Sequence, residues 1–389
     1  MSGPSPRRSP RCVRMILWWL CAGAALLLLA PSRNLSARQT ESDLQVSQQA
    51  ESDLQVYLHI VDRYRSGSLM TAASELRSLG SMRVDSAVDL LRFRIDRVTP
   101  DDELRRQLRA AAVFHTELAV NGSIEMLSER SWHLTTAKRL VDLQSRAARS
   151  DVATSESRSF ARRWALLVAW YRHGTLDLHG LQADIAELTG RFPNDPDVVL
   201  LSGSFAETLA WPRLPAAATA VPASLQRAFQ DRGARLKDAR SAYERALQLA
   251  PGLDEARLRL AHVYGEMKQS EQAIAAFQIV VRETSSDWVR YLAQLFWGRS
   301  CEALDRVGEA TEHYRQASAI CPECQVPRVA LSNAYRKAGD REDAMRAAES
   351  VAGIRAATVV DPWFEYYLGQ YHRVPAMLLE LRSEVGITR

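Results

Sequence analysis

A quartet of residues recurs through the second half of the chain at a nearly constant interval, and that interval limits the fold more than any other feature of the 389 residues. Ala239, Tyr243, Ala246 and Pro251 reappear 34 positions later as Ala273, Phe277, Val280 and Ser285. A further 37 positions give Ala310, Tyr314, Ala317 and Pro322, and another 34 give Ala344, Ala348 and Val351. Within each quartet, small and aromatic residues stand three or four apart, the spacing of one helical face. Ahead of the last three quartets runs a second helical pattern in matching register: Leu260, Ala261 and Tyr264; Trp297, Gly298 and Cys301; Leu331, Ser332 and Tyr335. Two helices of this size cannot bury their apolar faces alone and must stack on copies of themselves. Val/Ile alternation is scarce while Leu, Ala, Arg, Glu and Gln dominate, so the expectation is an all-α chain.

These residues resemble the tetratricopeptide repeat, in which a small residue on the first helix and an alanine on the second let the two helices approach closely while aromatics fill the space between units. The resemblance covers about 115 residues and implies a right-handed superhelical solenoid of antiparallel helix pairs. It departs from the pattern at Cys301 and Ala348, which replace aromatics, and in three extra residues around Ser285, Ser286 and Asp287. The register predicts that Gly298 and Ala310 face each other within one unit.

Upstream the pattern decays without vanishing. Gly67 to Ala72 repeats the spacing of Gly339 to Ala344, Ala110 to Ala148 reads as two amphipathic helices, and Arg162 to Phe192 reads as another pair. Leu201 and Ser202 with Phe205 match Leu260 and Ala261 with Tyr264, marking 198–209 as the first helix of a unit whose second helix begins near Leu236. Between them lies a Pro/Ala-rich stretch that breaks helix continuity. The predicted organisation is therefore a leader over 1–37, degenerate helical pairs over 38–210, an insertion over 211–234, repeats over 235–358 and terminal helices over 359–389. A solenoid needs its last apolar face covered, so Trp363, Tyr366 and Tyr367 are expected in a cap; a ligand-binding aromatic cluster is the alternative.

The leader places Arg7, Arg8, Arg11 and Arg14 before the apolar run from Met15 to Ala30, the pattern of a signal peptide or an N-terminal anchor. Four arginines before the run predict an N-terminus inside and the repeats outside the cytoplasm, periplasmic or secreted, with membrane attachment only through this segment. The formal charge of +4 falls to about −1 without Arg7, Arg8, Arg11, Arg14 and Arg33, so no basic surface suggests nucleic acid.

Catalytic signatures are missing from the sequence. No phosphate-binding glycine loop, His-Glu-x-x-His helix or Gly-x-Ser-x-Gly elbow occurs, so neither enzymatic activity nor a cofactor or metal is expected. Ser202 and Ser204 flank Gly203 without the second glycine an elbow requires, and close helix packing explains them better. Cys321 and Cys324 frame a Cys-Pro-Glu-Cys turn between two units; outside the cytoplasm the pair can close as a disulfide, and half a zinc site or a redox pair are the alternatives. The reading reached is a scaffold that binds a protein or peptide partner. The register places His262, Arg299 and Asn333 at equivalent points of successive first helices, and in the family that point commonly faces the groove. Two other readings stay open: an envelope assembly factor using the cysteine motif for metal or redox work, and an enzyme of unrecognised type.

Overall fold

The computed structural model describes residues 37–389 except 98–99, 123–128, 149–150, 212–228, 230, 355–359 and 388–389, with side chains from residue 46 onward. The leader and most of the Pro/Ala-rich stretch lie outside the described residues. Among those described there are helices and no strands, and no helix is long and apolar enough to cross a membrane. The chain divides into two compact units, Met1–Ala161 with Leu379–Arg389, and Arg162–Leu378.

In the first unit, α1 (Ala37–Arg65) packs against α2 (Leu69–Leu79), α3 (Ser81–Ile95) and α4 (Asp102–Asn121), and α4 lies along α5 (Arg130–Ala147). Helix α4 starts where the Asp101 side chain accepts from the Leu104 amide, closing one of the amide groups a helix start leaves open. Nearly every residue from Leu108 to Ala119 is buried, so α4 is the central rod of this unit. Three of the buried residues are polar: His115, Thr116 and Glu117. Tyr64 donates to Glu117 at 2.6 Å, and Arg382 reaches the same carboxylate at 3.1 Å. Tyr57 lies 3.1 Å from His115 Nε2, and His115 Nδ1 lies 2.8 Å from His133 Nδ1. His115 and Glu117 are thus both interior, two apart on a helix that is buried all round.

The second unit receives the C-terminal part of α6 (Asp151–Gly174), then α7 (Leu178–Arg191), α8 (Pro196–Leu209), α9 (Arg232–Leu249), α10 (Asp254–Glu266), α11 (Ser270–Glu283), α12 (Asp287–Ala303), α13 (Val307–Ile320), α14 (Val326–Ala338) and α15 (Arg341–Ala352). Helices pair as α8 with α9, α10 with α11, α12 with α13 and α14 with α15, and each pair stacks on the next. The recurring quartet is the seam of this stack: Ala239, Tyr243, Ala246, Ala273, Phe277, Ala310, Tyr314 and Ala317 have no exposed surface. Burying a side chain as large as Phe277 contributes about 1.5–3 kcal/mol.

A second recurrence lies in the turns. Lys268, Asp305 and Gly339 each adopt positive φ between the two helices of a unit, and Leu176 does so between α6 and α7. Each stands five residues before a small or apolar residue in the first half of the second helix: Leu181, Ala273, Ala310 and Ala344. Gly67, five before Ala72, makes the same turn between α1 and α2. The hairpin geometry is therefore common to both units although only Gly67 and Gly339 are the residue type that favours it.

The first atoms that a Cβ at Gly298 would meet belong to the Tyr314 ring, one helical turn along from Ala310. Gly203 stands in the same relation to Tyr243, with 2.6 Å to the ring. Gly203, and not Ser202, is therefore the close-approach residue of α8, a shift of one from the register read in the sequence. A second difference concerns the end of the stack. Helix α15 buries none of its residues completely, because Ala348 stands where an aromatic would fill the seam. The aromatic tail does not seal it as a cap; its hydrogen bonds run to α8, α10, α12 and the start of α14, in the groove formed by first helices.

Gly298→Ala is expected to lower unfolding stability by about 1–3 kcal/mol, because the ring it strikes is fully buried. Arg299→Ala, one residue along on the half-exposed side, should stay within about 0.5 kcal/mol. Denaturant unfolding of the two variants side by side measures the difference, and equal losses would show the helix turned the other way.

Candidate functional site

Polar side chains of the first helices α8 and α10, with Tyr243 of α9, enclose a buried cluster beside α12. Glu207, one turn after Gly203, is 2% exposed. It accepts from Tyr243 at 2.6 Å and from Tyr366 at 2.8 Å, lies 2.7 Å from His262 Nδ1, and takes a longer contact from Arg259 at 3.4 Å. A carboxylate has no proton to give, so His262 Nδ1 carries the hydrogen in this pair. Arg259 is equally buried and also donates to Glu255 at 2.8 Å, one turn back on α10. Burial alone would raise the Glu207 carboxyl; the hydrogen bond and charge of His262, with Arg259 and Tyr243, outweigh it and hold the group below its ordinary value. An isolated buried charge would cost far more than its packing returns, so the cluster is stable only as a set.

The groove beside this cluster is filled by the chain's own residues 361–373. They form α16 (Pro362–Glu365) followed by two short 3-10 turns, Tyr366–Leu368 and Tyr371–Arg373. Asp361 begins the segment by accepting from Tyr291 at 2.7 Å and from the Val326 amide at 3.0 Å. Tyr366 is fully buried; beyond its bond to Glu207, its carbonyl accepts from Arg259 at 3.1 Å and its ring lies 4.5 Å from that guanidinium. The Tyr367 ring stacks on Trp211 at 4.8 Å, and its carbonyl accepts from Thr208 at 2.9 Å. Gln370 donates to Glu255 at 2.8 Å, and His372 stacks on Trp288 at 4.6 Å.

Thr208 also fixes a tautomer. Its hydroxyl gives its proton to Tyr367, so it accepts from His173 Nε2 at 2.8 Å and leaves His173 Nδ1 bare. That bare nitrogen faces Gly369, where φ is +63° and a Cβ would collide with both His173 and Trp170. Glycine is required here for its backbone angle and its lack of bulk. Burial is also what pushes the His173 imidazole down to about 3 and that of His133, in the first unit, down to about 4.

The three residues read from the register have different fates. His262 is 4% exposed and sits between the Phe296 ring, 4.2 Å away, and that of Tyr366, 4.9 Å away. Arg299 is half-exposed and lies 3.5 Å from Glu266, while Asn333 is exposed and accepts from Arg336 at 3.1 Å. A cavity of about 110 Å³ remains beside the tail, lined by His262, Glu266, Phe277, Phe296, Arg299 and Ser300 among others. Cys321 and Cys324 are joined by a disulfide in the turn between α13 and α14. Sequence reasoning missed Glu207, Arg259 and the use of Tyr366. Nothing in a helical pattern distinguishes a charged residue on a groove face from one in solvent.

The tetratricopeptide repeat family profile matches residues 234–295. No curated protein matches the chain. Solved structures with similar folds include MamA, at 17% identity over 46% of this chain and 90% of that one, with a TM-score of 0.34. PilF of Pseudomonas aeruginosa matches at 10% identity over 59% and 88%, with a TM-score of 0.41. YrrB, described as a TPR protein with an unusual peptide-binding site, matches at 13% identity over 52% and 91%, with a TM-score of 0.35. At such scores these likenesses carry no argument about how this protein works. Residues 234–295 match the tetratricopeptide repeat, and the helix pairs on either side of them pack in the same manner.

Two outcomes test the cluster. Arg259→Leu strips a cation from two buried carboxylates and is expected to cost about 3–5 kcal/mol in denaturant unfolding. The second is a pH profile. Histidines whose imidazoles are depressed in the folded state stay neutral there while the unfolded chain takes up protons below about 6.5. Stability is complete above that value and falls as the pH drops from about 6.5 toward 3. His173→Asn should lose part of this slope in unfolding titrations between pH 7 and 5; an unchanged slope would place the acid sensitivity elsewhere.

Proposed function

We propose that this protein is a scaffold that binds a protein or peptide partner along its first helices, on the extracytoplasmic side of a membrane. The observation that supports partner binding most directly is the manner in which residues 361–373 are held. An irregular peptide segment lies across successive first helices, fixed by main-chain carbonyls at Tyr366 and Tyr367 and by side chains at Asp361, Tyr366 and Gln370. That is the chemistry by which a groove grips an extended ligand. Arg299 and Asn333 stay open to solvent on the same row of helices. The compartment is supported by the arginine-led apolar leader and by the disulfide of Cys321 and Cys324, a bond that persists in oxidising surroundings.

A photo-reactive residue placed at 299 or 333 in the living cell is expected to trap a discrete partner, whereas one at Ile279, on the second helix α11, is not. Equal adducts at all three positions, or none at any, would remove the groove reading. For the compartment, a reporter active only outside the cytoplasm should work when fused after Arg389; activity of a cytoplasm-only reporter at that site would reverse the assignment.

A further inference from the structure

We propose that residues 361–373 are a replaceable internal ligand of the groove, and that the partner which displaces them presents a tyrosine at the head of an uncharged stretch. This rests on the peptide-binding reading and specifies what the groove selects.

The segment supplies none of the ions of the cluster. Buried charges are normally locked to whatever neutralises them, because removing one partner leaves the other stranded. Here the ionised members of the cluster all belong to the repeats. Without the segment Glu207 keeps Tyr243, His262 and Arg259, and Arg259 keeps Glu255 and Glu207. What the segment adds at the cluster is neutral: one phenol hydroxyl, two carbonyls and one carboxamide. The quartet residues pack between helices of the stack, and Tyr366 joins their core with Trp363 and Tyr367 against it, so departure of the segment uncovers an apolar face that the displacing partner's own aromatic must cover. The cluster is therefore preformed, and departure of the segment exposes polar groups to water without orphaning a charge.

The contacts also define what can take its place. Glu207 accepts a hydroxyl at the depth of a tyrosine ring, Arg259 covers that ring and takes the carbonyl of the same residue, and Glu255 accepts a side-chain amide four positions on. A carboxylate at the tyrosine position would face Glu207 and be repelled. A lysine there would lie under Arg259. The gate between Trp170 and His173 admits only a residue without a side chain three positions after the tyrosine. The pattern read from the groove is thus tyrosine, then glycine at the third position and glutamine at the fourth, as in Tyr366, Gly369 and Gln370.

Hydrogen exchange on the unmodified full-length chain supplies the first test. Amides of 366–373 are expected to exchange through an opening that leaves α8, α10 and α12 protected. Exchange of the segment only together with those helices would make it a fixed part of the fold and overturn the proposal. The second test uses Gly369→Ala, which closes the gate to the tail, with a fluorescent synthetic peptide of residues 360–374. The peptide should bind this variant about ten-fold or more tightly than it binds the unmodified chain, and its Tyr366→Phe version about ten-fold more weakly than the parent peptide, the worth of one hydrogen bond to a charged group. Equal binding to both chains, no binding to a folded variant, or indifference to the tyrosine hydroxyl would each refute it. Should the variant fail to fold, the exchange experiment still decides. Because the photo-trapping at 299 and 333 does not depend on the tail, its success alongside a failure here would leave the scaffold reading standing and remove only the internal ligand.

Discussion

The buried carboxylate of Glu207 is the constraint around which the second unit is organised. A charge with 2% exposure must be met on every side, and the four groups that meet it come from three places in the chain: Tyr243 on α9, Arg259 and His262 on α10, and Tyr366 in the tail. The Coulomb attraction of Arg259 alone does not recover the solvation lost by both ions. The two phenol hydroxyls and the imidazole satisfy the remaining lone pairs, and doing so fixes the angle at which α9 and α10 meet α8. Rigidity here follows from hydrogen-bond geometry as much as from the alanine seam below it.

The seam was legible in the sequence because it is periodic, and the reason is physical. Each repeat must present the same small and aromatic faces to its neighbours, so the requirement is written again every 34 to 37 residues. Where the period is interrupted, the reading slipped. Gly298 precedes Tyr314 by 16 residues, whereas Gly203 precedes Tyr243 by 40; the difference of 24 is the length of the stretch 211–234. With its spacing to the second helix lost, α8 could be aligned only on its own pattern, and that pattern fitted equally well one residue away.

The cluster and its occupant were not legible, because no local rule links their members. Tyr366 and Glu207 are 159 residues apart. The aromatic run near Trp363 signalled burial but not its location, and the solenoid rule pointed to the end of the stack. The tail went instead to the groove, where tyrosine hydroxyls and carbonyls find partners. Helix α15, with Ala348 and Met345 exposed, buries none of its residues and offers no apolar pocket for the aromatics. His262 is closed from solvent between Phe296 and Tyr366, since the sequence shows which way a residue points but not what comes to lie over it.

The same comparison explains why the aromatic of the quartet is a tyrosine in some units and a phenylalanine in another. In α12 the residue one turn after Gly298 is Glu302, and Tyr314 donates to it at 2.5 Å, as Tyr243 donates to Glu207 one turn after Gly203. In α10 the residue one turn after Ala261 is Gly265, which has no acceptor, and the aromatic facing that helix is Phe277, which has no donor. A buried hydroxyl without a partner would be destabilising, so hydroxyl and carboxylate are present together or absent together. Glu302 remains 16% exposed and pairs with Lys337 at 2.9 Å. The pairing within a unit is thus a local device that tolerates water. It becomes a closed hub only at Glu207, where α10 and the tail cover it, and that covering turns an ordinary feature of the repeat into the anchor of the tail.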